Sequence, residues 1–346
     1  MTHQKTERQD VAVPVDQNVS TEVLKSQHIN MEQFPTDDES YSTEIASYAT
    51  SLTSAVTSYN WQYGRRYHSY KEGSYKFPND EREQDRLDMI HHIIKLVLND
   101  RLFLAPIENG PIRVLDIGTG TGLWAIEFAD QFQSAHQVIG NDLSPIQPSW
   151  VPPNVAFEVD DVEAEWPQRP PFDFIHSRYM CGSIVDWPRL AQQAYDQLKP
   201  GGWVEFQEYN LVNYSEDGSI KEGNNVQRLH ELLREACDKI NRPITIGADL
   251  ERIVKETGFV NGKHQVFQVP LGTWPRERRM KDIGALNMYQ MLDGLEAFTT
   301  ATFTAILGWT IEEVQAFLTL VRQDAKDRSV HMMHDLHVVY AQKPWQ

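Results

Sequence analysis

Cysteine is nearly absent from this sequence: Cys181 and Cys237 are the only two among 346 residues. Two cysteines cannot build a disulfide framework, so the fold must rest on its apolar core, and a reducing compartment is expected. Basic charge is also scarce, with 32 Lys and Arg against 49 Asp and Glu and a formal net charge of −17. The densest basic stretch runs from Arg276 to Arg279, three arginines beside Glu277. Neutralising a phosphate backbone takes clustered cations, so direct binding of nucleic acid is disfavoured. No apolar run approaches the about 18 residues that a membrane helix needs. The opening Met1-Thr2-His3-Gln4-Lys5 also lacks the apolar stretch of a signal peptide. These absences lead to the expectation of an intracellular protein, cytoplasmic or nuclear, with no membrane partner.

What is present suffices for a core. Hydrophobic residues make up 40% and charged residues 23% of the chain, the balance of a folded protein. At roughly 150 residues per domain the length suggests two domains, or one enlarged domain with appendages. Residues 1–45 stand apart: they contain no Gly, Cys or Trp, and nine acidic against three basic side chains. Such a segment buries too little to offset the entropy of ordering it, so a disordered acidic tail is expected there. Residues 46–100 read as an aromatic and helical cover. Trp61, Tyr63, Arg65, Arg66, Tyr67, His68, Tyr70 and Tyr75 crowd its first part. Asn79 or Asp80 then offers an N-cap, and Leu87, Ile90, Ile94 and Val97 follow at helical spacing.

From residue 101 to 346 the pattern alternates. Strands are expected at 113–117, 137–140, 155–159, 172–176, 203–207, 264–269 and 336–342, and helices at 123–132, 188–198, 226–239, 250–257 and 311–327. Strands separated by helices in this way imply an α/β, doubly wound sheet. The Met- and aromatic-rich stretch 276–307 reads equally as a lid over an apolar ligand or as the core of an inserted helical pair.

The segment Val114-Leu115-Asp116-Ile117-Gly118-Thr119-Gly120-Thr121-Gly122 carries the chemistry. A strand ends in an acid, enters a loop with three glycines, and passes into a helix. Glycine is needed where a ligand approaches the backbone and where the turn takes positive φ. Ligands on such sheets sit at the carboxyl ends of the strands, at the switch point. A second acid, Asp142, ends the next strand 26 residues after Asp116, where a carboxylate can accept hydrogen bonds from both ribose hydroxyls. A dinucleotide fingerprint read from Gly118 fails at Leu123, although one read from Gly120 passes through Gly122 and Ala125. Asp116 separates the two ligands. It would repel a pyrophosphate and welcome the sulfonium and ammonium groups of S-adenosylmethionine (SAM).

With Gly140-Asn141-Asp142-Leu143-Ser144, Asp160-Asp161-Val162, Phe172-Asp173-Phe174-Ile175-His176 and Leu198-Lys199-Pro200-Gly201-Gly202-Trp203, the glycine loop resembles the ordered motifs of class I SAM-dependent methyltransferases. Trp61-Gln62-Tyr63-Gly64-Arg65-Arg66-Tyr67, Tyr75-Lys76-Phe77-Pro78-Asn79-Asp80, Pro145-Ile146-Gln147-Pro148, Cys181-Gly182-Ser183 and the ending Val339-Tyr340-Ala341-Gln342-Lys343-Pro344 extend the likeness to the fungal LaeA-like methyltransferases, over roughly residues 59 to 346. This resemblance implies a Rossmann-like, seven-stranded sheet whose last strand is antiparallel, with SAM as the cofactor. It implies that Asp116, Gly118 and Gly120, with Gly122 in the same loop, line the methionine end. Asp142, with Leu143 beside it, would hold the ribose, and Asp161 with Val162 would meet the adenine. His176 or Ser177 would lie beside the transferring methyl, which makes His176 the candidate catalytic residue. The acceptor would be a secondary metabolite or a protein. The alternative is a regulator of secondary metabolism or development, acting in nuclear complexes with velvet-type or methyltransferase-like partners.

Methyl transfer asks the protein to position its reactants and at most to take a proton. His176, Tyr179, Glu208 and His230 are the residues considered for that base. Tyr63, Arg65, Arg66 and Arg86 are considered for closing over the ligand. His331, His334 and His337 recur at three-residue spacing, but Val338-Val339-Tyr340 reads as strand, which would scatter them, and no metal is expected.

Overall fold

Five parallel strands and two more in an antiparallel return form the sheet that positions the site, as described in a computed structural model covering residues 60–67, 77–107 and 113–345. The acidic tail 1–45, His68, Tyr70, Tyr75 and Lys76 lie outside these described residues. In chain order the elements are β1 (Asn60–Gln62), β2 (Arg65–Tyr67), α1 (Glu81–Val97), β3 (Arg113–Ile117), α2 (Leu123–Gln131), β4 (Gln137–Asp142) and β5 (Val155–Val159). They continue with β6 (Phe172–Arg178), α3 (Trp187–Gln197), β7 (Leu198–Tyr214), α4 (Asn225–Lys239), α5 (Leu250–Thr257) and β8 (Val260–Pro270). The last are α6 (Arg278–Asp293), α7 (Leu295–Thr302), α8 (Ile311–Asp324) and β9 (Met333–Gln342). The large sheet runs β5-β4-β3-β6-β7-β9-β8, with β9 antiparallel to both of its neighbours. The chain leaves β3 toward β4 and β5 on one side and returns to β6 and β7 on the other, so β3 and β6 flank the switch point.

Period-two alternation divides the core between the two faces of the sheet. Val114, Val138 and Phe174 pack with Trp124 and Phe128 of α2. Their neighbours Leu115, Ile139 and Ile175 pack with Leu190 and Ala194 of α3, and with Ile90 and Ile94 of α1. Helix α1 therefore shares the main core. Its N-cap is Asp80, whose carboxylate accepts from the Glu83 N–H at 3.1 Å and pairs with Arg65 at 2.5 and 2.8 Å. That leaves Asn79 free of capping duty, and its amide donates to Ser144 Oγ at 3.1 Å.

Two features differ from the sequence reading. The aromatic segment begins with the β1–β2 hairpin, turned by Tyr63 and Gly64 at φ of 51° and 73°, the double positive φ of a primed hairpin turn. Strand β7 spans 17 residues, well beyond 203–207, because polar residues interrupt its apolar pattern. Those residues are nevertheless buried. Glu205 accepts from the Leu104 and Ala105 N–H groups at 2.8 and 2.6 Å. Glu208 accepts from those of Met180 and Cys181 at 2.9 and 2.8 Å, which makes it an anchor for the loop after β6.

Burial pushes the Glu205 carboxyl up to about 7 and that of Glu208 to about 8, against the pull of these N–H groups. A carboxyl raised on folding keeps its proton after the unfolded chain has lost its own, so stability falls as pH rises from about 4.5 to about 7 for Glu205 and to about 8 for Glu208. Glu205→Gln should remove its share, roughly 3 kcal/mol. Urea denaturation at pH 5 and pH 8 should show a smaller loss for the variant than for the wild type; equal losses would refute the assignment.

Candidate active site

The register of β3 brings the site together. Asp116 lies opposite Gly140 of β4 on one side and His176 of β6 on the other. The residue is 2% exposed. One oxygen sits 2.7 Å from His176 Nδ1 and the other accepts from Thr119 Oγ1 at 2.6 Å. Burial lowers the His176 pKa, although Asp116 opposes it, so the imidazole is neutral and donates its Nδ1 proton to the carboxylate. The ring lies flat on Trp124, with centroids 3.8 Å apart and planes 3° apart.

After Asp116 the backbone turns through Gly118, Gly120 and Gly122, at φ of 64°, 59° and 85°. The Gly120 N–H donates to Asp142 Oδ2 at 3.0 Å, and Asp142 Oδ1 accepts from the Ser144 N–H at 2.9 Å. The loop after β4 is thereby tied to the glycine loop, and Gln147 Nε2 adds a bond to the Gly120 carbonyl at 2.6 Å. At the end of β5 the Asp160 N–H reaches the Asp142 carbonyl at 3.0 Å, and Asp161 accepts from the Glu163 N–H at 2.9 Å. Burial raises the Asp160 pKa, with its own bond to the Asp161 N–H opposing.

These segments surround a cavity of about 1150 Å³, counted out to its open mouth. Asp116, Gly118, Gly120, Asp142, Leu143, Asp161 and Val162 line it, together with Asp160. Pro78, Asn79, Leu87, Ile90 and His91 close it from the N-terminal side. A concave site with five carboxylates, Glu163 among them, suits a ligand carrying positive charge, and the glycine backbone lets that ligand approach.

Three of the expected site residues are placed elsewhere. His176 is fully buried between Asp116 and Trp124 and is not part of the cavity wall; Ser177, also fully buried, is likewise withdrawn. Gly122 is absent from the wall too: a Cβ there would lie 2.3 Å from Phe157 Cζ, so its role is to admit that ring. Among the other base candidates, Tyr179 accepts from Arg86 at 3.2 Å. His331, His334 and His337 face separate partners in Asp217, Asn213 and His264.

Sequence reasoning missed Arg178, the last residue of β6. It lines the cavity, donates to His91 Nδ1 at 2.6 Å, and keeps Nη1 buried without a protein partner. Burial lowers the His91 pKa to about 4, with Arg178 adding to the effect, so His91 can act as an acceptor. Its signal was in plain sight: a cation two residues beyond the buried histidine, at the carboxyl end of a central strand.

A second cavity, about 840 Å³ counted out to its open mouth, adjoins the first. Ile90, Tyr179 and Ser183 belong to both walls. The stretch 276–307 supplies Asn287, Gln290, Met291 and Phe298 to the second.

Gly122→Ala should lower the unfolding free energy by about 2–4 kcal/mol, from left-handed strain and the clash with Phe157. Gly64→Ala has positive φ but open space around it and should cost about 1–2 kcal/mol. Chemical denaturation of both variants checks the difference; equal losses would remove the packing role of Gly122.

Residues 89–264 match the family model described as a methyltransferase domain. The chain is 51% identical over 290 residues to methyltransferase pytC of Aspergillus terreus, covering 84% of this chain and 90% of that protein. It is 35% identical over 290 residues to the secondary metabolism regulator LAE1 of Cochliobolus heterostrophus, covering 82% and 94%. The probable methyltransferase tdiE of Emericella nidulans is 35% identical over 271 residues, covering 78% and 85%. With the seven-stranded sheet and the glycine loop, these likenesses establish that the chain belongs to the fungal LaeA-like family of class I SAM-dependent methyltransferases.

Proposed function

We propose that the protein methylates a small-molecule acceptor of secondary metabolism, with SAM in the first cavity and the acceptor in the second. The observation that carries this reading is the meeting of an acid-lined cavity and an apolar one at Ile90, Tyr179 and Ser183. The relatives pytC and tdiE, both named as methyltransferases, support it.

In this reading Gly118 and Gly120 pass their backbone along the methionine end, and Asp116 sets a negative field beneath it. Asp142 turns its carboxylate from the Gly120 N–H to the ribose hydroxyls, with Leu143 beside it. Asp161 and Val162 meet the adenine. Arg178, steadied by His91, takes the methionine carboxylate with its unpartnered Nη1. When bound, SAM supplies an electrophilic methyl group. The chain's own task is to exclude water and to hold the acceptor in line. Neither His176 nor Glu208 is placed to take a proton. The helices of 276–307 act as the roof of the acceptor site, and the segment from Pro78 to His91 closes the cofactor side.

A regulatory reading has support of its own, because LAE1 is named a secondary metabolism regulator. It keeps the first cavity and adds a velvet-type or methyltransferase-like partner. A stable complex with such a partner, in the absence of turnover on small apolar acceptors, would favour it.

Calorimetry separates the cofactor assignment from the acceptor question. The wild type should bind SAM and S-adenosylhomocysteine at micromolar level, on the order of −8 kcal/mol, and should not bind NAD. Asp142→Ala and Arg178→Ala should each weaken SAM by about ten-fold or more. Unchanged affinity in both variants, or preferential uptake of NAD, would defeat the assignment.

A further inference from the structure

The wall of the second cavity is mostly apolar, with Phe77, Leu229, Leu233, Ile244, Met291 and Phe298 prominent. Its few polar groups are nearly all engaged within the protein. Arg86 gives its guanidinium to Glu83, at 2.7 to 3.1 Å, and to Tyr179 Oη and Gln290 Oε1 at 3.2 and 3.0 Å. Asn287 donates to the Pro270 carbonyl at 3.0 Å. His230 and His334 are both shifted down by burial, His334 to about 3, and so carry no charge at neutral pH. No uncompensated charge faces the interior from the described residues.

Tyr209 departs from this pattern. It is 1% exposed and forms part of the wall, yet its hydroxyl has no hydrogen-bond partner in the protein. Buried hydroxyls are nearly always paired, and leaving one unpaired is destabilising. The ring is held edge-on by Tyr179, at 5.7 Å and 87°, and by His334, at 5.2 Å and 90°. Burial, reinforced by Tyr179, raises its pKa well above the ordinary phenol range, so the hydroxyl keeps its proton and remains a donor. Tyr179 belongs to both cavities, which places Tyr209 one ring away from the neck between them.

Resting on the reading that this cavity receives the methyl acceptor, we infer that the acceptor is an uncharged, mainly apolar small molecule with an oxygen that accepts the Tyr209 hydroxyl. Tyr209 fixes the end of the molecule that lies near the neck. A carboxylate in the same place would find no unpaired cation, since the charge of Arg86 is paired with Glu83. A wholly apolar molecule would leave the hydroxyl unpaired.

The test uses the full chain saturated with S-adenosylhomocysteine and three probes of similar size: acetylnaphthalene, ethylnaphthalene and naphthoate. The wild type should bind the ketone about ten-fold more tightly than either of the others. Tyr209→Phe should abolish the preference for ketone over ethylnaphthalene, hold ethylnaphthalene affinity within about two-fold, and melt no lower than the wild type. Equal binding of ketone and ethylnaphthalene by the wild type, a preference that survives in Tyr209→Phe, or naphthoate binding as tightly as the ketone would overturn the inference. Leu229→Trp, which fills the cavity, tests the reading beneath it. Ketone binding that persists in this variant, or no binding of any probe by a wild type that holds S-adenosylhomocysteine, would overturn the acceptor site itself.

Discussion

A carboxylate buried at the end of the central strand governs the rest of this structure. Asp116 sits at the switch point with almost no access to water, and an anion there must be satisfied by hydrogen bonds or expelled. Two donors satisfy it, and each fixes a different part of the fold. Thr119 binds the glycine loop to the strand it leaves. His176 binds β6 to β3 at matching register and, through its stack on Trp124, seats the start of α2. Both donors are neutral, so the cluster keeps its negative charge and projects it into the cavity above. A protonated histidine or an arginine in the same place would have cancelled that field. The proposed attraction for a cationic sulfur ligand thus depends on how the aspartate is paired, as much as on its presence.

Much of this could be read from the chain. Strands β3 and β5 and helix α5 fall where the patterns placed them, because apolar runs of five or so residues between turn signals have few other solutions. Asp116, Gly118, Gly120, Asp142, Leu143, Asp161 and Val162 meet at one cavity because each stands at the carboxyl end of a parallel strand or in the loop that follows. What resisted reading depended on partners far away in sequence. His176 looked available at the end of its strand, but β6 continues to Arg178 and carries the ring into the core. Glu205 and Glu208 broke the apolar pattern of β7 because their partners, the N–H groups of residues 104–105 and 180–181, belong to loops that no local pattern describes. The hairpin at 60–67 was hidden by its Tyr-Gly turn, in which tyrosine occupies a position that glycine or asparagine more often takes.

The N-terminal elements serve the site as well as the core. Asp80 caps α1 while gripping Arg65 of the hairpin, and Asn79 reaches Ser144 in the loop that follows β4. One short turn therefore couples the hairpin, the first helix and the rim of the cofactor cavity. His91, one helical face further on, meets Arg178 from the opposite wall. Sequence patterns assign such a segment to a peripheral cover; its hydrogen bonds make it a working side of the cavity.

The two functional readings make different demands on this architecture. Both need the acid-lined cavity, since a regulator that retains SAM requires the same glycine loop and carboxylates. Only a methyltransferase acting on small molecules needs the apolar cavity behind Tyr179. An enclosed space of about 70 Å³ among mainly apolar side chains forgoes packing contacts that larger residues would restore. Small residues at its border, Cys181, Ser183 and Cys237, hold that space open where bulkier side chains would close it. Protein-complex formation alone gives no reason to tolerate that loss inside the fold. The cost is intelligible when the cavity's shape is itself the product of selection, which favours a chain built to enclose an acceptor over one built only to present a surface.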